Sequence, residues 1–204
     1  MKTNYLWSTL LIQDSLPSHE ENNEKLKEVI LERNKNIKNM TNNYREHNFL
    51  RLENDNVSWL TRNITTVIEK YVIESKMKRS FTYTLDGWAN VNVRGDYHVP
   101  HTHPFSWLSG VYYVHVPIQD KLEQNRLDIG PAHISFFDPR GSANMIAIEG
   151  DLYHRDEYRV LPQSGDIFIF PSFLQHMAHP NMSDEQRISI SFNITINELR
   201  DYTY

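Results

Sequence analysis

The chain has 204 residues, 39% of them hydrophobic and 12% aromatic, with a formal net charge of −5. That length supports a sizeable core in one domain, and the aromatic content excludes a disordered polymer. The acidic balance argues against nucleic acid or an anionic membrane surface as partner, and the absence of cysteine excludes disulfides, thiolate zinc sites, iron–sulfur clusters and cysteine nucleophiles together.

The N-terminal stretch MKTNYLWSTLLIQDSLPSHEE has one early lysine and a short apolar run, without a signal-peptide cleavage pattern. No apolar run approaches the roughly 20 residues that span a bilayer, so a cytoplasmic location is expected. From Ser18 to about Met40, Leu26, Val29, Ile30, Arg33 and Ile37 recur at helical spacing, and Ser18 with Glu21 fits a capping box. TNNYREHNFLRLENDN reads as loop with room for a short strand. A second helix is predicted over VSWLTRNITTVIEKYVIESKMK, with Leu60, Ile64, Val67, Ile68, Tyr71 and Val72 on one face.

After Arg79 the pattern changes to short runs rich in β-branched and aromatic residues: FTYTLDGWANVNV, WLSGVYYVHVP, HISFFDP, DIFIFPSF and RISISFNITI. The last alternates, with Ile188, Ile190, Phe192 and Ile194 on one face. Several strands after two helices predict an α+β protein, mainly β: a sandwich or jelly roll braced by the N-terminal helices. The stretch from Gln119 to Pro162 is the least regular and is expected to hold long connections near the mouth of the sandwich.

GDYHVPHTHP places His98, His101 and His103 within six positions. In a strand, residues two apart share a face, roughly 6–7 Å apart, so His101 and His103 project together and can share one divalent metal with a third ligand. His98 is out of phase and faces elsewhere unless the strand bulges at Pro100. Pro100 and Pro104 confine the pair to an edge or a strand end. His176, just past the apolar run DIFIFP, is the candidate third ligand, with His179 as its rival. Arg187 and Ser189 share the face of the last strand opposite its isoleucines. A guanidinium with a hydroxyl two residues on suits a carboxylate; a surface salt bridge is the plainer alternative.

HTHPFSWLSGVYYV, DPR, P-x-x-G-D-I-F-I-F-P-S-F-L-x-H and R-I-S-I-S-F-N together resemble the Fe(II)- and 2-oxoglutarate-dependent oxygenases. The nearest resemblance is to a group found in marine bacteria and their phages, over about residues 85–195. It implies a double-stranded β-helix, the jelly-roll variant shared with cupins, at 81–204, with residues 1–80 as a helical part packing on it within one structural domain. It implies Fe(II), 2-oxoglutarate and O2 as cofactors, with His101 as first metal ligand and His176 as the distal one. Arg187 resembles the partner of the distal carboxylate of 2-oxoglutarate, and Ser189 completes an R-x-S pattern. Tyr113 and Asn90 are further candidate contacts to 2-oxoglutarate. His103 stands where most of the superfamily has Asp or Glu, although H-x-H is the pattern of this group, so a neutral ligand replaces an anionic one.

The implied reaction hydroxylates a small molecule or a side chain while 2-oxoglutarate becomes succinate and CO2. Trp88 and Tyr112 are further candidates for the pocket wall, and Arg140 for its mouth. The same strings also fit cupin motifs, from Gly95 to His103 and from Gly165 to His176, although Phe173 replaces a usual glycine and the usual glutamate after His103 is absent. A cupin-type metalloenzyme that does not use 2-oxoglutarate and a non-catalytic jelly-roll binding protein are therefore the alternatives. The oligomeric state is left open, a homodimer included.

Overall fold

The computed structural model describes residues 1–2, 6–36, 48–120, 128–141, 151 and 155–201. In chain order it runs β1 (Ile12–Ser15), α1 (His19–Asn36), a 3-10 turn (Phe49–Arg51), α2 (Asp55–Glu74), β2 (Arg79–Asn92), β3 (His98–His101) and β4 (Leu108–His115). It continues with β5 (Ile134–Phe137), β6 (Glu157–Val160), β7 (Asp166–Pro171), β8 (His176–Ala178) and β9 (Arg187–Asp201). Two antiparallel sheets face each other, a major one in the order β1-β7-β4-β9-β2 and a minor one in the order β3-β8-β5-β6. The expected α+β, mainly β jelly roll is what forms.

Strand periodicity divides the core into two layers. On β9, Ile188, Ile190, Phe192 and Ile194 point outward into a cluster with Leu26 and Ile30 of α1 and with Leu60, Ile64 and Ile68 of α2. On β4, Val111 and Tyr113 point inward, and with Ile134, Phe136, Phe168 and Phe170 they fill a second cluster between the sheets. The central strand β7 serves both, through Ile167 and Ile169 on one side and Phe168 and Phe170 on the other. A strand covered on both faces has no polar side, which is why DIFIF reads as a continuous apolar run. The two clusters leave the inner faces of β2 and β9 free to carry polar side chains.

Helix α2 begins where Asn54, in an extended conformation, accepts hydrogen bonds from the Asn56 and Val57 amides. The capping box expected at Ser18 does not form in the usual way. Ser18 has φ of 55°, outside the extended region of an N-cap, and α1 starts at His19. Ile37 and the expected end of that helix near Met40 lie outside the described residues. Phe49–Arg51 forms a 3-10 turn rather than a strand. Three strands were not expected: β1 adds IQDS to the edge of the major sheet against β7, β6 adds EYRV to the edge of the minor sheet, and β8 inserts HMA between β3 and β5. Among the described residues no helix is long and apolar enough to cross a membrane.

Candidate active site

The histidines meet at one edge of the minor sheet. Strand β3 is that edge, in keeping with Pro100 within it and Pro104 just beyond it, and His101 is the register partner of His176 on β8. His103 sits two residues past the end of β3, where its amide donates to the Ser172 carbonyl (3.0 Å). One ring nitrogen from each of His101, His103 and His176 lies within 4.8 Å of the others, and the His103 and His176 Nε2 atoms are 3.3 Å apart. Two nitrogens each about 2.1 Å from one metal, at right angles, would stand about 3 Å apart.

The backbone fixes which nitrogen faces the centre. His101 Nδ1 lies 2.6 Å from the Val99 carbonyl and His176 Nδ1 2.9 Å from the Leu174 carbonyl. A carbonyl can only accept, so each Nδ1 carries the proton and each Nε2 presents its lone pair. Phe170, edge-on at 4.7 Å, packs the His176 ring, and Trp88 packs the His103 ring at 5.9 Å. Burial, reinforced by the neighbouring histidines, lowers the pKa of His103 to about 4. Burial likewise lowers that of His176 to about 3. Both rings are therefore neutral at pH 7. Three imidazole nitrogens converging on one point suit a divalent first-row metal.

The rival ligand His179 is excluded by its own bonds. Its ring is 1% exposed, with Nδ1 accepting from the Gly130 amide (3.1 Å) and Nε2 against the Ser135 hydroxyl (2.7 Å). It belongs to the outer side of the minor sheet.

A cavity of about 230 Å³ opens beside the three histidines. That is below the roughly 300–1,000 Å³ of pockets for drug-sized ligands, so it favours a small occupant. Its wall is the inner face of β2 and β9: Asn90 pairs with Ser189 across the strands, Asn92 with Arg187, and Trp88 with Ser191. The sequence left open which way Arg187 and Ser189 face; they face this cavity, and Ile188 between them belongs to the helix side. Arg187 is 1% exposed. It donates from Nη1 to the His179 carbonyl (2.7 Å) and from Nη2 to Asn92 Oδ1 (3.3 Å). Among the described residues no carboxylate lies within ion-pair distance of it, and Asp96 acts only from further away. A surface salt bridge is thus ruled out for this residue.

Tyr113 lines the same cavity, and burial pushes its pKa up to about 12, so its phenol stays protonated. Asn90 donates to the Ser189 and Ser191 hydroxyls (3.4 and 2.9 Å). Tyr112 points the other way, its hydroxyl donating to Asn23 of α1 (2.5 Å). Arg140 is not part of the cavity wall; it forks onto Asp138 through Nε and Nη2 (3.0 and 2.6 Å).

His98 departs from expectation. The β3–β8 register shifts between His98 and His101, and this irregularity brings His98 round to the cavity. Asn92 was missed as well, although it follows Asn90 at i+2 on the same face and alternation alone could have found it.

The sequence profile of the family described as "Putative 2OG-Fe(II) oxygenase" matches residues 86–193, just over half of the chain. The chain belongs to this oxygenase family. The matched segment runs from β2 to β9 and holds His101, His103, His176 and Arg187. No curated protein matches the chain. Among solved structures it is similar to a prolyl-4-hydroxylase of Pseudomonas putida, with 13% identity, a TM-score of 0.61, and 93% of this chain and 90% of that one covered. It is also similar to AviO1 of Streptomyces viridochromogenes, at 10% identity and a TM-score of 0.56, covering 91% and 89% of the two chains. The non-heme monooxygenase ThoJ gives 12% identity and a TM-score of 0.54, over 95% and 76%. At such identities the likeness establishes the fold, and with the family match it makes the chain an oxygenase of jelly-roll architecture. The family implies Fe(II), 2-oxoglutarate and O2, and the three histidines supply a site able to take the metal.

Proposed function

We propose that the protein is an Fe(II)- and 2-oxoglutarate-dependent dioxygenase that hydroxylates a small molecule or a side chain and releases succinate and CO2. The observation that carries this reading is Arg187. A guanidinium 1% exposed, with no carboxylate partner among the described residues, shares a cavity with three converging imidazoles. Such a buried cation is costly until an anion joins it. A dicarboxylate that also reaches the histidines satisfies both needs.

In this reading His101, His103 and His176 hold the metal. Bound Fe(II) would supply the activation of O2 at the expense of the 2-oxo acid. The chain contributes the rest. Arg187 pairs with the distal carboxylate, and Ser189, whose oxygen already accepts from Asn90, keeps its own proton to donate. Asn90 holds the Ser189 and Ser191 hydroxyls in place, and the protonated Tyr113 offers a further donor. Val111, Ile134, Phe170 and Trp88 line the cavity and keep water from it. We also take residues 1–80 as a brace and 81–204 as the catalytic core of one structural domain, supported by the apolar cluster that the helices share with the major sheet.

Anaerobic titration of the Fe(II) protein with 2-oxoglutarate tests the reading. A visible metal-to-ligand charge-transfer band should appear, and Arg187→Met should weaken 2-oxoglutarate binding about 100-fold, as expected for losing one partner of a buried charge pair. A protein that binds Fe(II) but gives no band would overturn it. Metal-dependent turnover indifferent to 2-oxoglutarate and to Arg187→Met would point instead to the cupin-type alternative.

A further inference from the structure

Strands β3 and β8 form two successive rungs beside the cavity. His101 faces His176 on the first, at the metal end, and His98 faces Ala178 on the second. The carbonyl of the next residue, His179, accepts from Arg187, so the second rung lies toward the guanidinium. The irregularity between the rungs turns His98 onto the same cavity as Arg187.

One side chain joins the two. Asn92 is 7% exposed and is the cross-strand partner of Arg187. Its backbone carbonyl is held by Asn181 Nδ2 (3.0 Å). Arginine can only donate, so the Asn92 amide must turn Oδ1 toward Arg187 Nη2 (3.3 Å). Its Nδ2 is then left facing His98 Nε2 (3.4 Å). With Nε2 accepting, the neutral ring must carry its proton on Nδ1. Among the described residues that Nδ1–H has no hydrogen-bond acceptor. The chain of donors running from Arg187 through Asn92 therefore ends in an N–H on a cavity-lining ring.

We propose that His98 is a specificity-determining residue for the cosubstrate, donating from Nδ1 to the carboxylate that Arg187 pairs with, and that Asn92 is the positioning residue that sets its tautomer. This deepens the dioxygenase reading and rests on it. The anion is then held by a charge from β9 and a neutral donor from β3, on opposite sheets. An occupant lacking the distal carboxylate gains nothing from either.

The test is equilibrium binding to the anaerobic Fe(II) protein, with the charge-transfer band as readout and Fe(II) affinity measured alongside. His98→Phe keeps a ring and removes the donor; it should bind Fe(II) as the unmodified protein does while weakening 2-oxoglutarate about 10-fold or more, the range for a hydrogen bond to a charged group. His98→Gln, which restores an N–H, should recover most of that loss. With 2-oxovalerate, which has no distal carboxylate, the unmodified protein and His98→Phe should bind alike. If the unmodified protein gives no band, the dioxygenase reading fails and this inference with it. If the band forms and Arg187→Met weakens 2-oxoglutarate while His98→Phe does not, the inference alone falls. It falls equally if His98→Phe loses Fe(II), or if its loss is the same for 2-oxovalerate.

Discussion

His179 shows how a single ring can serve a site that it does not enter. Its two nitrogens are bonded to the Gly130 amide and the Ser135 hydroxyl, while its carbonyl holds Arg187. Burial and the neighbouring Arg159 lower its pKa to about 4, against about 6.5 in an unfolded chain. Between those values the unfolded chain takes up a proton that the folded chain refuses, so stability falls as pH drops from about 6.5 toward 4 and is unaffected above that window. This ring alone contributes at most about 1.4 kcal/mol per pH unit. Urea unfolding of metal-free protein at steps from pH 7.5 to 4.5 should show the decline. His179→Gln should be less stable at pH 7 but have a shallower slope below pH 6.5. An unchanged slope would remove His179 from this account.

At the scale of elements, the close contact of β4 and β9 depends on Gly110. A methyl group there would come within 2.3 Å of the Phe192 ring and 2.6 Å of the Phe168 carbonyl. The ring could move, but the carbonyl belongs to a paired strand. Gly110→Ala should therefore cost about 1–3 kcal/mol, an overpacking penalty, visible as a lower thermal midpoint. The strands legible in the sequence were those with buried faces, because burial imposes alternation on β9 and an unbroken apolar run on β7. The strands β1 and β6 escaped notice because each is four residues long at a sheet edge and carries polar or charged side chains, and β8 because it is only three residues long. The phase of His98 was misread for a different reason. Period-two counting assumes an unbroken ladder, and the β3–β8 register is broken between His98 and His101. Residue type and spacing were enough to single out His101, His103, His176 and Arg187, which the fold brings to one cavity. Asn92 acts by orienting others, which leaves no signature in residue type.

On the scale of the whole molecule, the helices, the major sheet and the minor sheet form three layers, with the three-histidine cluster between the sheets and the larger apolar cluster on the far side of the major sheet. Stability and site should be separable across that sheet. Ile64 is fully buried in the helix layer, and Ile64→Ala should cost about 2–5 kcal/mol. Below its thermal transition the variant should still bind one Fe(II) per chain with unchanged affinity, as calorimetry would measure. Weakened metal binding in the folded variant would show that the layers are coupled.

β9 is the exception to that separation. Its residues Arg187, Ser189 and Ser191 build the cavity wall, and Ile188, Ile190, Phe192 and Ile194 alternate with them to anchor the helices. Adding or removing one residue near its start would exchange the two sets, sending isoleucines into the cavity and the guanidinium into the oil of the helix layer. Descendants of this gene can lengthen loops or redraw the rim freely, but along β9 they can only substitute, never slip. Any new substrate preference has to be written elsewhere.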